Sequence, residues 1–276
     1  MGRKALNIIM SNSFDYTALS HAIAEFRRSY PQFPVFRIGK SHQYRSLFAI
    51  RLGHGEKRVF FNAAHHGMEW ITAKLLMQFA EDLARGKYNA HALLDRCTLY
   101  LVPMVNPDGV QIAVSGKFWQ ANARGVDLNH NYDAHWHLSK QAERENGIYG
   151  PGPTRFSGPF PESEPESRAI ADFTRQNPFD LVLAFHSQGE VIYWDFCGFA
   201  PDRSFAYAKR FEAVSPYRMD TPGGMASYGG YKDWFIQTFK KPGFTIEIGT
   251  GENPLPLADF PRIYARTLPL MLEALK

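Results

Sequence analysis

Three largely apolar runs, residues 97–102, 181–185 and 244–248, alternate along the chain with stretches whose apolar residues recur every three or four positions. A short run of this kind between turn residues reads as a buried strand, and the three-to-four repeat reads as a helix with one apolar stripe. Strands alternating with such helices predict an α/β fold, a mixed sheet covered by helices on both faces. Asp15 is placed to cap a helix over 16–29, where Leu19, Ile23 and Phe26 share a face and Pro31 and Pro34 end it. Runs 35–38, 47–52 and 58–63, punctuated by Gly39, Gly53 and Gly55, suit hairpin-linked strands. Ile71, Leu75, Phe79 and Leu83 predict about four helical turns beginning just after Glu69.

Further on, Asn106-Pro107-Asp108-Gly109 reads as a loop, and residues 115–161, rich in Gly, Pro, Asn and His, as a long irregular excursion. Excursions of that length inside a compact domain usually build a site. Ser163 with Glu166 reads as a capping box opening a helix that stops before Pro178. Helices are also expected over 202–213, 230–240 and from 259 to the end, with Pro269 as a kink.

A length of 276 residues allows one large domain or two small ones, and the chain shows no repeat, linker or break in composition, so residues 1–276 are expected to form one domain. Apolar residues at 45% and charged residues at 21% exclude disordered, collagen-like and coiled-coil chains. Aromatics reach 14%, which suits a thick core or an aromatic-lined pocket, with the core the default expectation. The net charge of +4 is spread without a basic block, which reads as a solvated surface and gives no nucleic-acid footprint. No stretch reaches the about 18 apolar residues of a membrane span. The apolar segment 5–10 is shorter than a secretory one, and Cys97 and Cys197 make neither a disulfide framework nor a metal knuckle. A cytoplasmic setting is the expectation.

The chain lacks a Gly-x-Ser-x-Gly elbow, a phosphate-cradling loop, a dinucleotide turn and a His-Glu-x-x-His helix. It does carry His66-x-x-Glu69 where a strand run meets a helix, and His186 at the end of the run 181–185. Both histidines are expected at carboxyl ends of sheet strands, where open α/β sheets bind ligands. Two His and one Glu leave an open position on zinc, as catalytic sites require. Glu247, inside an apolar strand, is costly there unless paired or functional, and beside a metal-activated water it is the candidate base.

His66-Gly-Met-Glu69-Trp-Ile-Thr72, Asn106-Pro-Asp-Gly109, Gly125-Val-Asp-Leu-Asn129-His-Asn131, His186-Ser187, Gly229-Gly-Tyr-Lys-Asp-Trp234 and Phe244-Thr-Ile-Glu247 together resemble, in order, the motifs of the zinc metallocarboxypeptidases. The resemblance spans residues 59–250. It implies that family's single-domain fold, a twisted mixed sheet of eight strands, with one zinc ion held by His66, Glu69 and His186 and with Glu247 as general base. It also implies an oxyanion partner, for which Arg124 and Gln120 compete, and places Asn129 among the substrate-binding residues.

Three positions depart from the family. His130 stands where typical members carry the arginine that clamps a C-terminal carboxylate, and an imidazole does not replace a guanidinium fork. Met225 falls at the family's tyrosine above the site. Lys232 falls at the floor of the side-chain pocket, where its ammonium requires a carboxylate, either from the substrate's side chain or from a neighbouring Asp or Glu. His130 and the segment from His186 through Gln188 to Trp194 resemble the branch that cuts γ-D-glutamyl-meso-diaminopimelate bonds of murein peptides. The implied partner is a small muropeptide, with no nucleic acid or membrane. The competing readings are a carboxypeptidase releasing C-terminal acidic residues, a zinc-dependent N-acyl amino acid deacylase, and a metal-free binding module.

Overall fold

Alternation along each central strand decides which face of the sheet a side chain enters. In the computed structural model, which describes residues 13–223 and 228–276, Val59, Phe61 and Ala63 enter one core while Phe60, between them, enters the other. Leu181, Leu183 and Phe185 divide from Val182 and Ala184 in the same way. An apolar run without polar alternation therefore corresponds to a strand covered on both faces.

The strands are β1 (Val35–Lys40), β2 (Ser46–Gly53), β3 (Lys57–Ala63), β4 (Cys97–Val102), β5 (Leu181–His186), β6 (Val191–Tyr193), β7 (Arg218–Asp220) and β8 (Gly243–Glu247). They form one mixed sheet of eight strands in the order β1-β2-β4-β3-β5-β8-β6-β7. β4, β3, β5 and β8 run parallel, while β2 is antiparallel to both β1 and β4 and β6 is antiparallel to β8. The chain leaves β3 for β4 on one side and later returns for β5 on the other. Their carboxyl ends thus flank a topological switch point, the crevice where such sheets bind ligands.

Helices α1 (Tyr16–Ser29), α2 (Ile71–Ala84), α7 (Asp202–Val214) and α9 (Phe260–Glu273) contribute to one core. Helices α6 (Pro165–Gln176) and α8 (Tyr231–Phe239) contribute to the other. Asp15 caps α1 through a carboxylate that accepts from the Ala18 N–H at 2.8 Å. None of the described helices is long and apolar enough to cross a membrane.

The structure corrects several local expectations. Asn106–Gly109 is no loop: Asn106 caps α4 (Pro107–Val114), its Oδ1 accepting from Gly109 N–H at 2.9 Å, with proline in the first turn where its missing N–H costs nothing. The irregular excursion contains α5 (Trp136–Glu145), and α3 (Ala90–Arg96) precedes β4. No capping box opens α6. Glu164 occupies the cap position, Ser163 donates to the Glu164 carboxylate, and Glu166 accepts from the His42 N–H, so both acids tie loops together. The expected last helix is present as α9, with Pro269 inside it. Cys97 is buried, Cys197 is exposed, and both are free.

Candidate active site

At the end of β3 the backbone turns through Ala64, which has a φ of 53°, in the left-handed region, and Thr72 Oγ1 accepts the Ala64 N–H at 2.9 Å. His66 then heads the short 3₁₀ turn Gly67–Glu69, which leads directly into α2. Gly67 is required here because a Cβ would lie 2.3 Å from the Gly109 carbonyl oxygen. The turn is stitched to the neighbouring loop by Gly67 N–H to the Gln120 carbonyl at 2.9 Å and Met68 N–H to the Trp119 carbonyl at 3.0 Å. One turn of chain thus aims an imidazole and a carboxylate at the same point.

His186 reaches that point from the adjacent β5. His66 Nδ1 lies 2.8 Å from Glu69 Oε1, and His186 Nδ1 lies 3.0 Å from Glu69 Oε2 and 3.3 Å from His66 Nδ1. Asp127 Oδ1 faces the other ring nitrogen of His66, Nε2, at 3.2 Å. A carboxylate there keeps the proton on Nε2 and turns the Nδ1 lone pair into the cluster. Burial works against the ionisation of Asp127, but His66, then His130, and the hydrogen bonds from His66 and the Arg155 N–H hold it well below the usual carboxylate range. Glu69, also disfavoured by burial, is brought to about 2 by the two histidines. Two imidazole nitrogens at 3.3 Å around one carboxylate are placed to share one cation. The donor set, with ligand atoms all within 4.8 Å of one another, fits a zinc site with an open position.

Glu247 ends β8 in register with His186 of β5 and faces the cleft that His66 and Glu69 also line. Burial, and then the charge of Glu69, raise its carboxyl well above the usual range, with His66 opposing. The cleft has a volume of ≈ 560 Å³.

The other sequence-selected residues divide. Gln120, Asn129, His130, Gln188 and Lys232 line the cleft. Asn129 Oδ1 accepts the Tyr231 N–H at 3.0 Å, fixing the start of α8. Gln120 Oε1 accepts from the Thr154 hydroxyl. Lys232 takes a partner from the chain itself: its ammonium pairs with Asp233 and donates to the Asp195 carbonyl at 2.6 Å. Its charge is therefore compensated without a substrate carboxylate. Arg124 is not in the cleft wall; its guanidinium turns to buried Glu164 at 3.7 Å, and its side chain is 46% exposed. Met225 lies outside the described residues. Asp127 and Arg155 are among the cleft residues that had no role in the sequence reading. Asp127 stood in plain view inside Gly125–Asn131; Arg155 sits in the aperiodic excursion, where spacing carries no signal.

Two imidazoles and a carboxylate converging beside a second carboxylate fit a metallohydrolase site. The profile of the zinc carboxypeptidase family, peptidase M14, matches residues 19–269. The chain is 37% identical over 292 aligned positions to gamma-D-glutamyl-L-diamino acid endopeptidase 1 of Lysinibacillus sphaericus, covering 95% of this chain and 72% of that protein. Its fold superposes on thrombin activatable fibrinolysis inhibitor with a TM-score of 0.81 at 20% identity, covering 100% of this chain and 79% of that one. Murein-tripeptide amidase MpaA from Escherichia coli O157 superposes with a TM-score of 0.56 at 20% identity, covering 90% and 94%. The chain belongs to the zinc carboxypeptidase family and is a metallopeptidase.

Proposed function

We propose that this metallopeptidase hydrolyses the γ-D-glutamyl-meso-diaminopimelate amide bond of bacterial cell-wall peptides, with Glu247 as general base. The observation that carries the reaction is the convergence of His66, Glu69 and His186 beside Glu247 in one polar cleft. Support for the bond type comes from the relative at 37% identity, a gamma-D-glutamyl-L-diamino acid endopeptidase.

Zinc, when held by His66, Glu69 and His186, supplies Lewis acidity that polarises a carbonyl and lowers the pKa of a water to about 7. The chain's own groups do the rest. Asp127 fixes the tautomer and angle of His66 through its contact at 3.2 Å. Glu247, whose proton affinity is raised by burial, takes a proton from water and delivers it to the leaving amine. Gln120 has its carbonyl oxygen engaged by Thr154, which leaves its amide N–H groups to meet the charge that develops on the scissile carbonyl oxygen. The free cysteines accord with a cytoplasmic setting.

The test is a mass-spectrometric assay in which L-Ala-γ-D-Glu-meso-diaminopimelate competes with a peptide ending in L-Glu. Release of diaminopimelate alone supports the proposal. Release of glutamate alone replaces it with an acidic-residue carboxypeptidase.

A further inference from the structure

Arg155 is built into the cleft wall with unusual care for a residue outside regular structure. Its φ of 68° lies in the left-handed region, which is strained for a residue with a Cβ. A hydrogen bond from the Arg155 N–H to Asp127 Oδ2 at 3.0 Å holds this conformation. The carboxylate that steers His66 with one oxygen therefore fixes the backbone of Arg155 with the other.

The side chain is steered as well. His130 Nδ1 lies 3.0 Å from the Tyr228 carbonyl, an acceptor only, so the proton sits on Nδ1 and Nε2 carries a lone pair. Arg155 Nη1 donates to that lone pair at 3.5 Å. His130 is thus a neutral post against which a guanidinium rests, and the remaining N–H donors of Arg155 stay unengaged by any acid among the described residues. The cleft's other basic side chain, Lys232, is already paired with Asp233. Among the described residues, Arg155 is therefore the cationic group of the cleft that lacks a carboxylate.

We propose that Arg155 binds a carboxylate of the residue released on cleavage, with His130 positioning its guanidinium. This rests on the peptidase reading above and names the group that recognises the acidic end of the substrate. A planar fork with free donors at fixed height suits bidentate capture of a carboxylate. On the proposed substrate two carboxylates qualify, the α and the distal one of the diaminopimelyl residue.

The experiment uses zinc-loaded wild type, Arg155→Ala and Arg155→Lys on three tripeptides: the diaminopimelate peptide, its C-terminal α-amide, and the analogue with lysine, which lacks the distal carboxylate. Arg155→Ala is expected to raise KM for the diaminopimelate peptide about 10- to 100-fold with kcat changed much less, because a hydrogen-bonded ion pair is lost from the bound state. On whichever analogue lacks the bound carboxylate the variant and wild type should match. Arg155→Lys should recover part of the affinity, and unchanged zinc content and melting temperature certify the fold. Equal losses on all three peptides, or no loss on any, overturn the proposal. If wild type leaves the diaminopimelate peptides intact, the substrate assignment fails separately. Arg155 is then judged by calorimetric binding of a peptide ending in L-Glu as acid and as amide, where wild type must discriminate and Arg155→Ala must not; equal or absent binding overturns it.

Discussion

Glu166, at the start of α6, offers a test that depends on nothing but burial and charge. Its carboxylate is fully buried, accepting from the His42 N–H at 2.9 Å and from Asn122 Nδ2 at 3.3 Å. Burial raises its pKa from 4.5 to about 7, and the charge of buried Asp108 adds to the rise, with the hydrogen bonds from His42 and Asn122 opposing. The folded protein therefore holds this proton more tightly than the unfolded chain. The resulting stabilisation is complete below the unfolded value of 4.5, declines as pH rises, and is lost once pH passes about 7. At 1.36 kcal/mol per pH unit the interval corresponds to about 3 kcal/mol. Glu166→Gln removes the titration. On top of a pH-independent cost from the amide nitrogen that replaces one accepting oxygen, its stability relative to wild type should rise by about 2–3 kcal/mol between pH 5 and pH 8.5, which for a chain of this size moves the melting-temperature difference by roughly 4–12 °C. Urea unfolding of the zinc-loaded proteins across pH 5–8.5 reads the difference. A difference that stays constant with pH would refute the reasoning.

The other predictions concern the cleft directly. Glu247→Gln should keep one zinc per chain by elemental mass spectrometry and lose turnover by at least about 100-fold, since it deletes the proton carrier; retained activity removes Glu247 from the reaction. Asp127→Asn should weaken zinc affinity by about 10- to 100-fold in a competition titration with a chelator, because the second oxygen partner of a metal-binding imidazole is altered. Lys232→Ala strands the buried Asp233 carboxylate and should cost about 3–5 kcal/mol in unfolding experiments. Lys232→Met with Asp233→Asn should recover most of it, and failure to recover would show that Lys232 acts by something other than this pair.

How much of this was legible in the sequence depends on whether the signal was local. The first and second helices, the central strands and the convergence of His66, Glu69, His186 and Glu247 were readable because periodicity and strand-end position are properties of short segments. α4 was hidden because Asn106-Pro107-Asp108-Gly109 spells a turn and a helix start equally well, and only the cap on the Gly109 N–H separates them. β6 and β7, the last two strands at one end of the sheet, escaped because three-residue strands are too short to show alternation. The fate of Lys232 turned on which of two carboxylates it met, and the adjacent Asp233 sits within reach of its ammonium. Arg124 and Arg155 exchange places for a similar reason. The first is drawn to buried Glu164 and the second is steered inward by Asp127 and His130, partners distant in sequence.

Reconstitution with zinc decides whether the ion at His66, Glu69 and His186 drives cleavage of the γ-D-glutamyl bond. Chelator-stripped protein mixed with L-Ala-γ-D-Glu-meso-diaminopimelate and titrated with zinc should begin to release free diaminopimelate, with activity saturating at one zinc per chain. An intact peptide at saturating zinc, or cleavage at the same rate without it, would contradict the account.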